Sequence, residues 1–575
     1  MKNIIYIILL LSLNIANAQN QFGIDTAFLV GTEKQIYDIR KIQLDKNNNV
    51  YISGFFKDSI KIVNTLLTTK SESNYDYSKA IFLAKYDSNN SFLWAKKIAE
   101  CDTMGIFSFV IDNDNDYYFA ITYTGKLFFE NDSILTKGSS DIIILKYDTN
   151  NNIMFTSNIG NINGEGLSNN NGVVVDDLNN YIITGSYNST WTNNYPNYNL
   201  VFGSDTITST TQDIFIAKYD SFGNSIWVKS FGSLDEDGIS SVDYSNHNFY
   251  ILGGGGNNIN LGGVILSYPI NYYSKCFMVK LNNDGYTCWA KKFGSSDIPG
   301  GFGYVKPTSI VNIDEKIYFT GHANSQNQNV FLFDGGSTLN GTGLGSETFI
   351  ACYDTTGNFK WNKLLNTQNI EYLTQLLTDS FSGIIGVGNI GSNSFTDAGV
   401  CSYDSNGNFN WLVGGGGMST DVGSGIALDS HGKIFIVGGT TSSGGCMMGN
   451  DTLYPPANQS TMFFASLDSI DAPWPLQNTV QFQNSFQIEV YPNPAYKYLY
   501  VDIKQVETHT KNEHTLIKMQ NALGQLVYMT QVAEKHSNTP NTLHTIDISS
   551  YPNGIYFISL ISDQQTISKK IIIQH

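Results

Sequence analysis

Three carboxylates alternate with two asparagines in Asp112-Asn-Asp-Asn-Asp116. Oxygen ligands at every second position suit a hard cation such as calcium. A full calcium loop also needs glycine at its sixth position and glutamate at its twelfth, and Tyr117 and Tyr123 stand there. Asp112, Asp114 and Asp116 are therefore read first as a hairpin turn, with calcium as the alternative and no other cofactor expected. Asp235-Glu-Asp237 is a second acidic turn of the same kind. His247 and His431 sit in turn positions, and His322 follows Gly321 at a strand end with no serine or cysteine partner in the sequence. No Gly-x-Ser-x-Gly elbow is paired with a suitable histidine. The six cysteines are scattered without Cys-x-x-Cys spacing, so a metal site is unsupported. Cys352 and Cys401 fall where other repeats carry small apolar residues, and disulfides among the six stay open. The runs Gly253 to Gly256 and Gly414 to Gly417 lack the strand-to-helix setting of a phosphate loop. No catalytic residues are assigned.

The elements that would position such groups repeat. Ile81-Phe-Leu-Ala-Lys-Tyr-Asp87 recurs at 142–148 and 214–220, with weaker copies at 276–282, 348–354, 398–404 and 462–468. A large aromatic follows each of the first six copies seven residues on: Trp94, Phe155, Trp227, Trp289, Trp361 and Trp411. Asn or Gly follows three residues on, and both tolerate the left-handed backbone that a hairpin turn requires. An upstream block, Asp45-Lys-Asn-Asn-Asn-Val-Tyr-Ile-Ser-Gly54, has relatives opening at Asp112, Asp176, Asp243, Asp314, Asp379 and Asp429. Each repeat thus holds two hairpin signals and about four strands. Tyr86, Tyr147, Tyr219, Leu281, Tyr353, Tyr403 and Leu467 mark one position, spaced 61, 72, 62, 72, 50 and 64 residues apart. Seven such units predict an all-β fold, a seven-bladed β-propeller with loop insertions. Pro473 and Pro475 spoil the segment after the last copy as a strand. The segment 22–31 is expected to complete the last blade and remove the open edges.

The 575 residues carry 33 Lys and Arg against 50 Asp and Glu, a formal net charge of -17, with a single arginine, Arg40. Such acidity excludes general binding of nucleic acid and of anionic membrane surfaces. Lys2, the apolar run Ile4 to Leu13 and the small residues Ala16 and Ala18 form the three parts of a signal peptide covering 1–18. That run is too short for a membrane anchor, and no later stretch is long and apolar enough to span a membrane.

The repeat blocks resemble the bacterial SBBP-type propeller family over roughly residues 30 to 470. The family implies the fold and an extracellular setting, and no reaction. With 19–471 as propeller, 472–485 reads as a linker rich in Pro and Gln. The remainder, 486–575, alternates apolar strands with turns as a small β-sandwich. It closely resembles the type A sorting domain of the type IX secretion system of Bacteroidetes. The matching residues are Tyr491, Pro492, Asn493 and Pro494, then Asn521, Gly524 and Gln525, then Pro552, Asn553, Gly554 and Tyr556, and Lys569 and Lys570. This implies passage through the periplasm, recognition of 486–575 by the outer-membrane translocon and its sortase, and delivery outside the cell or onto its surface. Pro492 and Pro494 are also expected to stiffen the entry into the first strand of the domain.

The functional expectation is a secreted or surface binding and adhesion module, without catalysis, for a surface glycan or a protein. The Tyr-rich loop 191–198 reads first as a packed insertion, with stacking on sugars as the alternative. The alternative is a polysaccharide hydrolase or lyase with acids at the propeller mouth.

Overall fold

Apolar alternation between Asp-opened turns folds into strands from end to end. The computed structural model describes residues 24–467 and 486–575 except for connecting segments, the longest being 70–78, 188–197, 297–303, 506–515 and 532–540. Among the described residues every named element is a β-strand. Ala16, Ala18, the linker 472–485, Gly524, Gln525 and most of the Tyr-rich loop lie outside them. The chain divides into two compact units, Met1–Pro473 and Trp474–His575.

In the first unit, seven antiparallel meanders follow one another among the described residues. The fourth shows the pattern: Gly238–Ser245, Asn248–Gly254, Tyr272–Asn282 and Thr287–Ser296 pair in chain order, from inner to outer strand. The fifth runs from Tyr304–Ile313 to Phe359–Leu364 and the sixth from Ile370–Thr378 to Phe409–Gly415. The first two share Phe92–Ile111, whose start is the outer strand of the first and whose end is the inner strand of the second. The third has a split inner strand, Glu165–Leu167 and Val173–Val175. The seventh holds Asp421–Leu428, Ile434–Thr440 and Thr461–Leu467, and its outer strand is the N-terminal Ile24–Val30. Val30 pairs with Met462 and Ile24 with Leu467, the pairing expected from the sequence.

The inner strands touch one another in cyclic order. Ile36–Leu44 contacts Phe92–Ile111 on one side and Asp421–Leu428 on the other. Hydrophobic side chains fill the seams between sheets. Val30, Ile42, Phe56, Phe82 and Phe464 share one cluster across the first and seventh sheets, with Phe28 against Phe464 at a ring separation of 4.8 Å.

The repeated motif residues hold the units together. Asp45, Asp112, Asp176 and Asp429 each accept two backbone N–H bonds across their turn, from the residues two and four positions on. Asn90, Asn151, Gly223, Gly285, Gly357 and Gly407 all have the positive φ that the second set of turns demands. The lysine of Lys-Tyr-Asp reaches the aspartate of the other block: Lys85 to Asp45 at 3.1 Å, Lys146 to Asp112 at 3.3 Å and Lys218 to Asp176 at 2.7 Å. Burial raises the Asp45 and Asp176 carboxyls, but Asn49, Asn180 and the lysines outweigh it and hold both below the usual range. The tryptophans staple neighbouring sheets. Trp227 donates from Nε1 to Asn283 O at 3.1 Å, Trp289 to Thr355 O at 3.1 Å, and Trp361 to Ser405 O at 3.2 Å.

The second unit is two sheets around one core that includes Leu499, Val501, Ile517, Ile558 and Ile571. Tyr491 ends the strand Phe486–Tyr491 and Pro492 and Pro494 follow it instead of leading into it, so the two prolines shape its exit. Asn493 closes the fold: its Oδ1 accepts the Ile572 N–H at 2.8 Å and its Nδ2 donates to Lys570 O at 3.1 Å.

Candidate binding site at the turn end of the inner strands

Where the inner strands enter their Asp-opened turns they enclose a cavity of about 270 Å³. Gln43, Phe109, Val174, Asp243, Ile310 and Gln375 line it, one from each of six inner strands. Valine, isoleucine, leucine and phenylalanine are frequent among the lining residues, but the surface the half-open cavity presents is more polar than apolar. Asp112, Asn113 and Tyr244 bring the turns themselves into the lining.

The turns bond to one another around this mouth. Asn48 Nδ2 donates to Ser430 Oγ at 2.9 Å, joining the first sheet to the seventh. Lys46 N donates to Asn115 Oδ1 at 3.0 Å and Asn113 N to Asn179 Oδ1 at 2.9 Å. The Tyr244 hydroxyl donates to Asp177 Oδ2 at 3.1 Å and Asn312 Nδ2 to Asp243 Oδ2 at 3.0 Å. Five of the seven joints are thus closed by side chains in the turns or at the strand ends beside them. The sequence showed these asparagines only as turn formers. Their second role needs the neighbouring turn in place.

Asp112, Asp114 and Asp116 do not converge. Asp112 Oδ1 caps its own turn, while its Oδ2 and the Asp116 Oδ2 face Lys146 Nζ at 3.3 and 3.4 Å. Asp114 Oδ2 accepts from Asn179 Nδ2 at 2.6 Å. The lysine ammonium takes the place a calcium ion would occupy between Asp112 and Asp116. Among the described residues no group of three or more His, Cys, Asp or Glu side chains is arranged to hold a metal. In the second acidic turn, Asp237 turns inward and is 1% exposed.

Asp243 and Asp112 are the carboxylates in the lining. Burial, opposed by the bonds from Asn312 and Tyr244 N–H, pushes Asp243 up to about 6. A two-carboxylate glycosidase needs one free base or nucleophile beside its acid, and Asp112 is neutralised by Lys146. The His247 and His431 side chains are 76% and 80% exposed on the turns. His322 packs edge-on to Tyr372, and burial with the nearby Lys306 holds it below the usual histidine range. All six cysteines are unpaired, with Cys288 exposed and the rest buried.

In the second unit the sequence motifs meet on the last strand, Thr566–Ile573. Gly554 pairs with Ile573, Asn553 Oδ1 accepts the His575 N–H at 2.8 Å, and the Tyr556 hydroxyl donates to Pro552 O at 2.8 Å. Asn521 pairs with Tyr556, and Lys569 and Lys570 are exposed.

Comparison with known proteins bears on each unit. A curated relative, the uncharacterized WD repeat-containing protein L264 of Acanthamoeba polyphaga mimivirus, is 23% identical over 493 residues. The match covers 69% of this chain and 35% of that protein, so the chain spans about a third of its relative's length. Trypanosoma rangeli sialidase in complex with sialic acid is similar at 7% identity and a TM-score of 0.31, over 95% of this chain and 87% of that one. A member of the DUF4221 family from Bacteroides vulgatus is similar at 8% identity and 0.27, over 76% and 95%. Likeness at these scores carries no weight for activity. Residues 489–574 match the secretion system C-terminal sorting domain. That part of the chain is a sorting domain of this family, which implies export by the type IX system to the cell surface or the extracellular space.

Proposed function

We propose that the cycle of four-stranded sheets is a seven-bladed β-propeller, carried outside the cell as a binding module that does not turn over its ligand. The cyclic contact of the inner strands and the closing N-terminal strand support the ring. The motifs support its kinship with SBBP-type repeats, and the WD repeats in the name of the mimiviral relative fit a propeller. On this reading residues 1–18 are removed as signal peptide, 19–471 are the passenger, 472–485 the linker, and 486–575 the part read by the translocon and the sortase. A surface glycan is the favoured ligand. One observation carries the binding reading: the cavity sits inside a rim of turn amides already locked to one another, with its one fully turn-capped carboxylate held by lysine. A preformed, largely polar mouth suits a polyhydroxylated ligand and loses little entropy on binding. Asp243, raised to about 6, is the one feature that favours hydrolysis or lysis of polysaccharide instead.

The test exposes the mature chain to a polysaccharide panel, scoring retention and new sugar ends in the same wells. Retention without release is expected, with Tyr244→Ala weakening it about tenfold. Release that is lost in Asp243→Asn would establish the enzyme.

A further inference from the structure

Away from the turns, one constellation of acids recurs three times. Asp141, Asp213 and Asp397 stand at or near the start of the third strand of the second, third and sixth sheets. A glycine follows 19 residues later, at Gly160, Gly232 and Gly416, and an acid five residues beyond it, at Glu165, Asp237 and Asp421. Both carboxyl groups sit on one dipeptide. A Cβ on Gly160 would stand 2.1 Å from Asp141 Cγ, on Gly232 2.1 Å from Asp213 Oδ1, and on Gly416 2.0 Å from Asp397 Oδ1. The next residue donates its N–H to the second acid: Asn161 to Glu165 at 3.4 Å, Ser233 to Asp237 at 2.5 Å, and Gly417 to Asp421 at 2.8 Å. Asp141, Glu165, Asp237 and Asp421 are each at most 1% exposed.

Burial first, then the neighbouring carboxylate, pushes Glu165 up to about 9 and Asp397 up to about 6. Two oxygens in these pairs are sealed from solvent with no hydrogen-bond partner, Asp141 Oδ1 and Asp421 Oδ1. Their sister oxygens are engaged. Asp141 Oδ2 accepts from Lys137 N and Asn158 Nδ2, and Asp421 Oδ2 from Gly417 N and Ser442 Oγ. The middle pair differs: Thr211 Oγ1 donates to Asp213 Oδ1 at 3.2 Å, and Ser233 Oγ and Gly256 N donate to Asp237 Oδ1 at 3.1 and 2.9 Å. A buried carboxylate oxygen without a donor calls for a cation. Paired buried carboxylates offer hard oxygen ligands to a divalent ion, and calcium accepts irregular sets. We propose that the pairs Asp141/Glu165 and Asp397/Asp421 each bind one calcium ion, tying a sheet to its successor, while donors already satisfy Asp213/Asp237. The fourth sheet, with Lys275 and Pro299 at the equivalent places, lacks the pair.

The experiment strips the full mature chain with EDTA and titrates CaCl2, reading bound metal by equilibrium dialysis and unfolding by circular dichroism. Two ions per chain are expected, with a rise in melting temperature of about 5 °C or more at saturation. Asp141→Asn and Asp421→Asn should each lower the count by one, and Asp213→Asn should leave it unchanged. If any variant fails to fold, the wild-type count decides. No bound calcium, with melting unchanged by CaCl2 between pH 5 and 9, overturns the proposal and leaves each pair sharing a proton.

Discussion

Lys146 is the point where the two sequence blocks of the repeat meet. Its ammonium stands within 3.4 Å of two carboxylates, and its side chain and that of Asp112 are 4% and 0% exposed. Removing one member of a buried ion pair leaves the other uncompensated and costs about 3–5 kcal/mol. Lys146→Met should therefore lose about that much stability in urea unfolding. The exposed pair of Lys96 and Glu130 serves as control, since such pairs contribute under about 1 kcal/mol. The repeat glycines give a sharper contrast. Gly416→Ala drives a methyl group into Asp397 and should destabilise by about 2 kcal/mol or more, whereas a Cβ on Gly238 meets nothing within 4 Å. Equal effects at Gly416 and Gly238 in the same unfolding experiment would contradict the carboxylate–glycine contact.

At the scale of elements, turn chemistry was the most legible part of the sequence. Asp followed by Asn or Gly three residues on marked the turns, and the positive φ values fall there because the local backbone alone demands them. The outer-strand tryptophans were legible as a period but not as staples, because Trp227, Trp289 and Trp361 bond carbonyls in the following sheet. The carboxyl pairs were hidden for the same reason: their members are 24 residues apart and share a dipeptide only after two sheets pack. The triad Asp112, Asp114 and Asp116 looked like one site because spacing cannot show that Lys146 comes up between its members. The buried pairs also predict a pH response. Glu165, Asp237 and Asp397 have folded values of about 9, 6 and 6, above those of the free side chains. The folded chain thus holds more protons than the unfolded chain, and stability falls as pH rises through 6 and again toward 9. In EDTA the melting temperature should drop steadily from pH 5 to pH 9. A rise over that window would show that these acids are not buried as a pair. In the sorting domain, Asn493→Ala frees the last strand from two hydrogen bonds. The chain should then accumulate in the periplasm at the expense of the medium, read by immunoblot of cell fractions.

For the whole molecule, the account rests on a ring. The first described strand pairs with the last described strand of the first unit, so residues 24–30 and 461–467 close what would otherwise be two open edges. Deleting 19–30 should expose the third strand of the seventh sheet and turn a monodisperse chain into an aggregating one in size-exclusion chromatography. Closure also creates the cavity, since no single sheet supplies more than a strip of its wall. The most direct measurement is electron cryomicroscopy of the mature chain viewed down the ring axis. Seven radial lobes around a central opening, with the N-terminal strand in the last lobe, are predicted. An open arc, or a different number of lobes, would contradict the account and leave the proposed binding mouth without its walls.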